Sequence, residues 1–308
     1  FVPNKDLYPG DYIVDIAKKI IDDNPGIEFN NLEKEFSMLS KESLNISMQL
    51  IKSDLNKLGI THDVFFSETE IVNNNIVVKT IDKLKKDKLV VEGYLNPPKG
   101  EEIKNWKKMK RLIFKSTLFG DDEDRALQKN DGTWTYFAND VAYHSDKVSR
   151  KFDYLINVLG ADHTGYIKRI TAAVAAISNK SVKLHCKVCQ LVKLYKNGEP
   201  FKMSKRAGDF ISVSDLLNEV DKDSIRFMML NRSNDVEIDF DFNKILEKNK
   251  DNPVFYVQYC FARINSLFRT VDKNLNDFIA LDNLELKLNN YEVKILRKIL
   301  EWPKIIET

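Results

Sequence analysis

Lys202-Met203-Ser204-Lys205-Arg206 puts three cations into five residues, with Ala207 and Gly208 directly behind them. Such a run suits a mobile loop that closes over phosphates, because a lysine ammonium is a compact charge with three donors. Adenylation builds negative charge on a departing pyrophosphate. Cations fixed at that point stabilise the transition state, and losing one such group costs about 2.7–4 kcal/mol of barrier. By itself the pentapeptide fits an exposed basic loop at least as well. A second set is Tyr136 and Asp140. Thr133 to Phe137 is rich in β-favouring residues, so Tyr136 is expected at the end of a strand. Asp140 then falls in the first turn of a helix beginning near Ala138, and both side chains can point into one pocket. A core aromatic and an acid favoured by the helix dipole would account for the same two residues. Third, Asp162 and His163 follow an apolar run, Tyr154 to Leu159, that ends in Gly160.

Two other groupings carry less. Cys186 and Cys189 have zinc-knuckle spacing, but no second pair exists, and on a strand a separation of three turns the thiols to opposite faces. Asp121-Asp122-Glu123-Asp124 is read as capping and solvating a loop, so no protein metal site is expected.

These residues need elements to hold them. Tyr12, Ile13, Ile16, Ala17, Ile20 and Ile21 form one helical stripe over 11–24, closed by Asn24-Pro25-Gly26. A longer helical pattern runs from Leu32 to Gly59, another covers 75–88, and a strand is expected near Leu89 to Tyr94. Residues 95–102 read as a loop on their Pro and Gly content. Beyond 116, the run 154–159 predicts a buried parallel strand. A turn at 161–165, a helix over 166–178, and a strand over 183–195 with its turn at Asn197-Gly198 come next. Alternation of this kind predicts an open α/β sheet, whose ligands sit at the carboxyl ends of the strands. From 213 the pattern is helical, with Ser214 or Asp215 capping one helix and Asp223 the next. A third helix spans about Pro253 to Arg269, and a last pattern covers Tyr291 to Leu300.

At 308 residues, with 43% hydrophobic and 31% charged, the chain has the make-up of a globular protein of one to three domains. No apolar run is long enough to span a bilayer, and the first residues lack the regions of a signal peptide. Three cysteines make no disulfide framework, so a cytoplasmic protein is expected. A net charge of +2 neither predicts nor excludes a nucleic-acid partner. The run from Lys104 to Lys115, six bases and no acid, is a local candidate patch or a solvated face.

Four collinear stretches closely resemble bacterial arginyl-tRNA synthetases: Phe119 to Arg125 with Asp131 to His144, Gly160 to Tyr166, Lys202 to Arg206, and Asp251 to Tyr259. The pentapeptide matches the second signature of class I aminoacyl-tRNA synthetases. The resemblance implies an α/β fold, the second half of a Rossmann-like catalytic core, followed by a truncated all-α anticodon-binding bundle. It implies a connective insertion over 1–115, the half-fold with its KMSKR loop over 116–212, a helical junction over 213–248 and the partial bundle over 249–308.

The implied activity is ATP-dependent activation of L-arginine to arginyl-adenylate and its transfer to tRNA(Arg). Magnesium would arrive with ATP, and the protein would be a monomer without a membrane partner. Lys202, Ser204 and Lys205 match catalytic positions; Gly160, Asp162, His163 and Met203 match ATP contacts. Tyr136, Asp140 and His163 match the arginine site. A carboxylate meets a planar guanidinium with two parallel hydrogen bonds, and an aromatic face stacks on it. Tyr256, Tyr259 and Arg263 are candidate tRNA contacts, with bundle packing as the competing role for a tyrosine. None of the four histidines begins the His-x-Gly-His signature of this class, so the 308-residue chain alone is expected to charge little or no tRNA. A class I synthetase for another amino acid would share the Lys202 loop without reason for the Tyr136–Asp140 pair. A non-catalytic RNA-binding paralogue would suit the absent first signature but not the intact second one.

Overall fold

The structure is a computed structural model, which describes residues 11–95, 109–201, 211–272 and 287–307. It contains two compact units, residues 1–247 and 248–308. In the first unit, α1 (Asp11–Asp23) packs against α2 (Leu32–Lys57). Ile16 and Ile20 meet Ile46 there, with Met38 and Leu39 alongside. Only two positions of the expected stripe are fully buried; Tyr12, Ile13 and Ile21 stay exposed. Asn31 caps α2 by accepting the Lys34 amide at 3.1 Å. The helix ends at Leu58, and Gly59 takes φ +71°, a conformation open to glycine without a Cβ penalty.

The stretch expected as one helix over 75–88 is preceded by a short turn of helix. Here α3 (Glu68–Asn73) and α4 (Ile76–Lys86) are split by Asn75, held at φ 53°. The inner face of α4 carries Val77, Ile81 and Leu84. It leads into β1 (Val90–Gly93), which pairs antiparallel with β2 (Arg111–Phe114), and β2 also pairs with β3 (Arg125–Ala126). Residues 96–102 of the expected loop, and the basic run from 104 to 108, lie outside the described residues.

The main core forms where these strands and α4 meet α5 (Tyr136–Ser149) and α6 (Ile167–Ile177). Phe114, Leu127, Val141 and Ala173 are wholly excluded from solvent. Burying a side chain such as Phe114 or Leu127 contributes about 1.5–3 kcal/mol. The core runs through residue 115 without a break, because Phe114 of β2 and Phe137 of α5 pack ring to ring at 6.2 Å.

Between α5 and α6 lies β4 (Tyr154–Gly160), continued by a 3-10 turn over Ala161–Tyr166 where a plain turn was expected. β5 (Lys183–Cys189) runs parallel to β4, with Leu155 opposite Leu184 and Asn157 opposite Cys186. One face of this pair is turned to α5 and α6. The expectation of a buried strand fails on the other face: Tyr154, Ile156 and Val158 are 59–69% exposed. Apolarity on both faces of a strand marks a place where a second layer can pack. Within the described residues that layer is absent.

The single strand expected over 183–195 is two strands in different sheets. Gln190 leaves the β5 ladder to donate its amide to the Asn234 carbonyl at 2.9 Å, and the Asn234 amide group bonds the Val188 carbonyl. β6 (Val192–Lys196) then forms a hairpin with β7 (Glu199–Pro200) through Asn197 and Gly198, both at positive φ, as a tight turn requires. β6 also runs parallel to β8 (Ile238–Asp241). Val220, Ile225, Phe240 and Phe242 close a second core between β8, α7 (Val213–Glu219), α8 (Lys222–Leu230) and α9 (Phe242–Leu246). The caps differ from those expected. Ser212 caps α7 in a reciprocal box with Asp215, and Asp221 rather than Asp223 caps α8. α2 is tied to α7 where Ser214 donates to Asp54 at 2.7 Å.

The second unit holds α10 (Pro253–Thr270), opened by an Asn252 cap with Pro253 in its first turn, and α11 (Asn290–Glu307). Both expose long apolar rows, among them Phe261 and Leu267 on α10 and Ile299 and Trp302 on α11.

Candidate active site

The carboxyl end of β4 is the focus. Gly160 closes the strand in extended backbone (φ −69°, ψ 159°), and the chain bends at once into the 3-10 turn. A Cβ on Gly160 would stand 2.7 Å from Oδ1 of Asp162, so the missing side chain lets that carboxylate fold back over the strand end. Asp162 and His163 project from the turn, both exposed, with His163 Nε2 3.8 Å from Asp162 Oδ2. They are accessible to a ligand at the strand end, where open α/β sheets bind.

Beside the turn, α5 begins earlier than its sequence suggests. Thr135 is the N-cap: its hydroxyl accepts the Ala138 amide at 3.2 Å. That bond and the backbone Asn139-to-Thr135 bond commit Tyr136 and Phe137 to the helix, and their β propensity is overruled. All that remains of the expected strand is a single bridge between Gln128 and Trp134. Tyr136 is therefore the first helical residue and Asp140 lies in the second turn. The two still share a face, four residues apart. Tyr136 is 80% exposed, with the Lys129 ammonium 5.7 Å from its ring centre.

Asp140 is bound into the interior at both ends. Its carboxylate accepts the hydroxyl of Tyr166, the last residue of the 3-10 turn. Its backbone carbonyl lies 2.8 Å from Nδ1 of His144, and His144 Nε2 lies 2.9 Å from the side-chain nitrogen of Asn157 on β4. A carbonyl can only accept, so Nδ1 carries the proton and Nε2 accepts from Asn157. Asn157 in turn accepts from the Lys147 ammonium at 3.0 Å. Burial pushes the His144 imidazole below its ordinary value, and the Asp140 carbonyl only partly opposes this. Lys147 is also lowered, first by burial and then by Arg150. Burial and the bond to Asp140 push the Tyr166 hydroxyl well above its ordinary range, so it stays protonated and donates. The chain Tyr166–Asp140–His144–Asn157–Lys147 locks α5 to β4.

A cleft of about 630 Å³ opens beside this lock, walled by Thr117, Asp124, Tyr136, Phe137, Tyr166 and Arg169 among others. Asp140 is not part of its wall; its carboxylate meets the cleft through Tyr166. The Arg169 guanidinium lies 5.2 Å from the Tyr166 ring centre, and its Nε is buried without a hydrogen-bond partner. The acidic loop forms the far wall. Asp121 is buried and takes both forks of Arg125, at 2.8 and 2.9 Å, while Asp124 accepts from the Thr117 hydroxyl at 2.7 Å. Burial opposes the charged form of Asp121, yet Arg125, the Asp122 amide and Ser116 hold its carboxyl below the usual range. The four acids thus organise a loop. Among the described residues no three His, Cys, Asp or Glu side chains gather as metal ligands. Cys186 points inward and Cys189 outward on β5, as the alternation of a strand dictates.

Lys202, Met203, Ser204 and Lys205 lie outside the described residues. Tyr256, Tyr259 and Arg263 all lie exposed on α10, at spacings of three and four that keep them on one face. The Tyr259 ring stacks on Phe255 at 6.1 Å. Sequence reasoning passed over Tyr166, His144 and Asn157. Two signals were present: His144 stands four residues after Asp140, and Asn157 is the one polar residue in an otherwise apolar strand.

The chain is similar to known proteins in sequence and in fold. Residues 27–266 match the family described as tRNA synthetases class I (R), catalytic domain. The chain is 58% identical over 306 residues to an arginine–tRNA ligase of Pelagibacter ubique, a match covering 99% of the chain and 53% of the relative. It is 45% identical to an arginine–tRNA ligase of Ruegeria pomeroyi, covering 97% and 52%. The chain spans about half the length of the curated relatives it matches. A solved Campylobacter jejuni structure assigned as an arginyl-tRNA synthetase superposes with TM-score 0.81 at 32% identity, covering 98% of this chain and 62% of that one.

Proposed function

This chain belongs to the class I arginyl-tRNA synthetase catalytic-domain family, and from that premise we propose that it carries the arginine-selecting half of an enzyme that forms arginyl-adenylate from L-arginine and ATP and passes the arginyl group to tRNA(Arg). The observation that supports this best is the Asp140 carboxylate. It lies four residues from an exposed Tyr136 and is held by Tyr166, the last residue of the turn that follows β4. A rigid carboxylate with an aromatic face nearby suits a planar guanidinium, and it leaves a lysine ammonium without the matching fork.

Adenylation needs no general base. The arginine carboxylate attacks the α-phosphate of ATP, the P–O bond to pyrophosphate breaks, and catalysis is positioning plus charge stabilisation. In this reading Tyr136 and Asp140 place the guanidinium, and His163 forms the wall shared by arginine and nucleotide. Gly160, Asp162 and Met203 hold the adenosine. Lys202, Ser204 and Lys205 act on the leaving pyrophosphate. Magnesium enters with ATP as part of the substrate, held by its phosphates. Tyr256, Tyr259 and Arg263 offer rings and a cation to the RNA, by stacking and phosphate contact.

The division of labour we assign is a connective insertion over 1–115, the catalytic half-fold over 116–212, a junction over 213–248 and part of an anticodon-binding bundle over 249–308. We further assign the protein to the cytoplasm as a monomer. Among the described residues no helix is long and apolar enough to cross a membrane. The 308 residues contain no His-x-Gly-His, and we expect the chain alone to be without charging activity. The test is ATP–pyrophosphate exchange by the complete enzyme bearing this chain, with tRNA present. Exchange driven by arginine and not by lysine is expected. Exchange driven equally by another amino acid would overturn the assignment.

A further inference from the structure

Tyr166 has no part in the site as its sequence was read, yet its placement is unusual in three respects. Its hydroxyl donates to Oδ2 of Asp140, across 26 residues of chain. Its ring is fixed from two sides, by the edge of Phe137 at 6.2 Å and 83° and by the Arg169 guanidinium at 5.2 Å. It is also the last residue of the turn that starts after Gly160, so the segment carrying Asp162 and His163 is tied to the carboxylate of α5. His144 anchors the same aspartate from the backbone side. An aspartate held at both ends cannot rotate to suit whatever enters.

Resting on the arginine-pocket reading above, we infer that Tyr166 is the positioning residue of that pocket: by filling one lone pair of Oδ2 it fixes the plane of the Asp140 carboxylate, and leaves Oδ1 and the second lone pair of Oδ2 to meet the fork of a planar cation. Oδ1 has no hydrogen-bond partner among the described residues. Removing the hydroxyl frees the carboxylate to turn away or to meet other cations. The selected ligand class is an amidine-like or guanidinium cation, and the ligand that gains when the clamp is lost is the simple ammonium. Tyr166 does not touch reacting atoms in this account. It acts through Asp140.

The test is a double-mutant cycle in the complete enzyme, with Tyr166→Phe, Asp140→Asn and both together, read as KM and kcat for arginine, KM for ATP, and charging of lysine. Phenylalanine keeps the ring and its packing, and the melting temperature of each variant is recorded as a check on the fold. A hydrogen bond to a charged group of this kind corresponds to roughly a tenfold to hundredfold effect. Tyr166→Phe should therefore raise the arginine KM by about that factor while kcat and the ATP KM change little, and lysine discrimination should fall in step. Added to Asp140→Asn, it should have no further effect, because the partner is already altered. Effects that multiply independently, or an unchanged arginine KM in a folded Tyr166→Phe enzyme, would overturn the clamp. If Asp140→Asn alone leaves the arginine KM unchanged, the pocket itself has been misplaced. A strong Asp140→Asn effect beside a silent Tyr166→Phe would sink the clamp and leave the pocket standing.

Discussion

His144 shows how one residue can be read wrongly from its type alone. An imidazole beside a carboxylate suggests a proton carrier, but this one is buried, bonds the Asp140 backbone rather than its carboxylate, and is kept neutral by its surroundings. A linkage follows. In the folded chain His144 resists protonation, while in the unfolded chain it takes up a proton near its ordinary value of about 6.5. The unfolded state then binds more protons as pH falls below that value, so its share of stability is intact above about pH 6.5 and is lost progressively below it. We expect the melting temperature of the chain to drop between pH 7.5 and 5.5, and the drop to shrink in His144→Gln. An equal drop in the variant would assign the acid sensitivity to other groups. Asp121 works in the opposite range: its lowered carboxyl keeps the Arg125 clamp intact until far more acidic solution.

At the scale of elements, the start of α5 decides where Tyr136 points. Thr135→Ala removes the side-chain cap and should cost about 1 kcal/mol of stability. Thr135→Ser should be close to neutral. The same alanine change should loosen the first turn and weaken arginine binding through Tyr136, which calorimetry on the complete enzyme would register. Thermal melts of the two variants that coincide would contradict the capping role. This is also where sequence reading reached its limit. The helices over 11–23, 32–57 and 253–270 were legible because their apolar spacing and their Asn and Pro signals agree. The Thr133 to Phe137 stretch was not, since one hydroxyl bond outweighed the β propensity of five residues. The split of β5 from β6 was hidden for a similar reason. It depends on Asn234, over 40 residues downstream, and no local pattern carries that pairing. Of the site, the residue types and their order were visible in the resemblance. The lock that joins Asp140 to β4 through His144 and Asn157 needed the fold.

The whole molecule is an α/β unit and a helical unit, each with apolar surface turned to solvent. Tyr154, Ile156 and Val158 on one face of β4, and Phe261, Leu267 and Trp302 on the helices of the second unit, are larger exposures than a self-contained domain normally carries. They agree in kind with a chain that spans about half the length of its relatives. The folded half nevertheless carries the Tyr136–Asp140 pair that we propose selects arginine. The α4, α5, α6 and β1–β3 core is closed, and Asp140 on α5 is held beside it by Tyr166.

The most direct measurement is the charging of tRNA by the complete enzyme with arginine and with lysine, wild type against Asp140→Asn. Arginine-only charging is expected, reduced by on the order of a hundredfold in kcat/KM when the charged partner of the guanidinium is removed. Charging by a different amino acid, or an Asp140→Asn enzyme that charges arginine as well as the wild type, would contradict it.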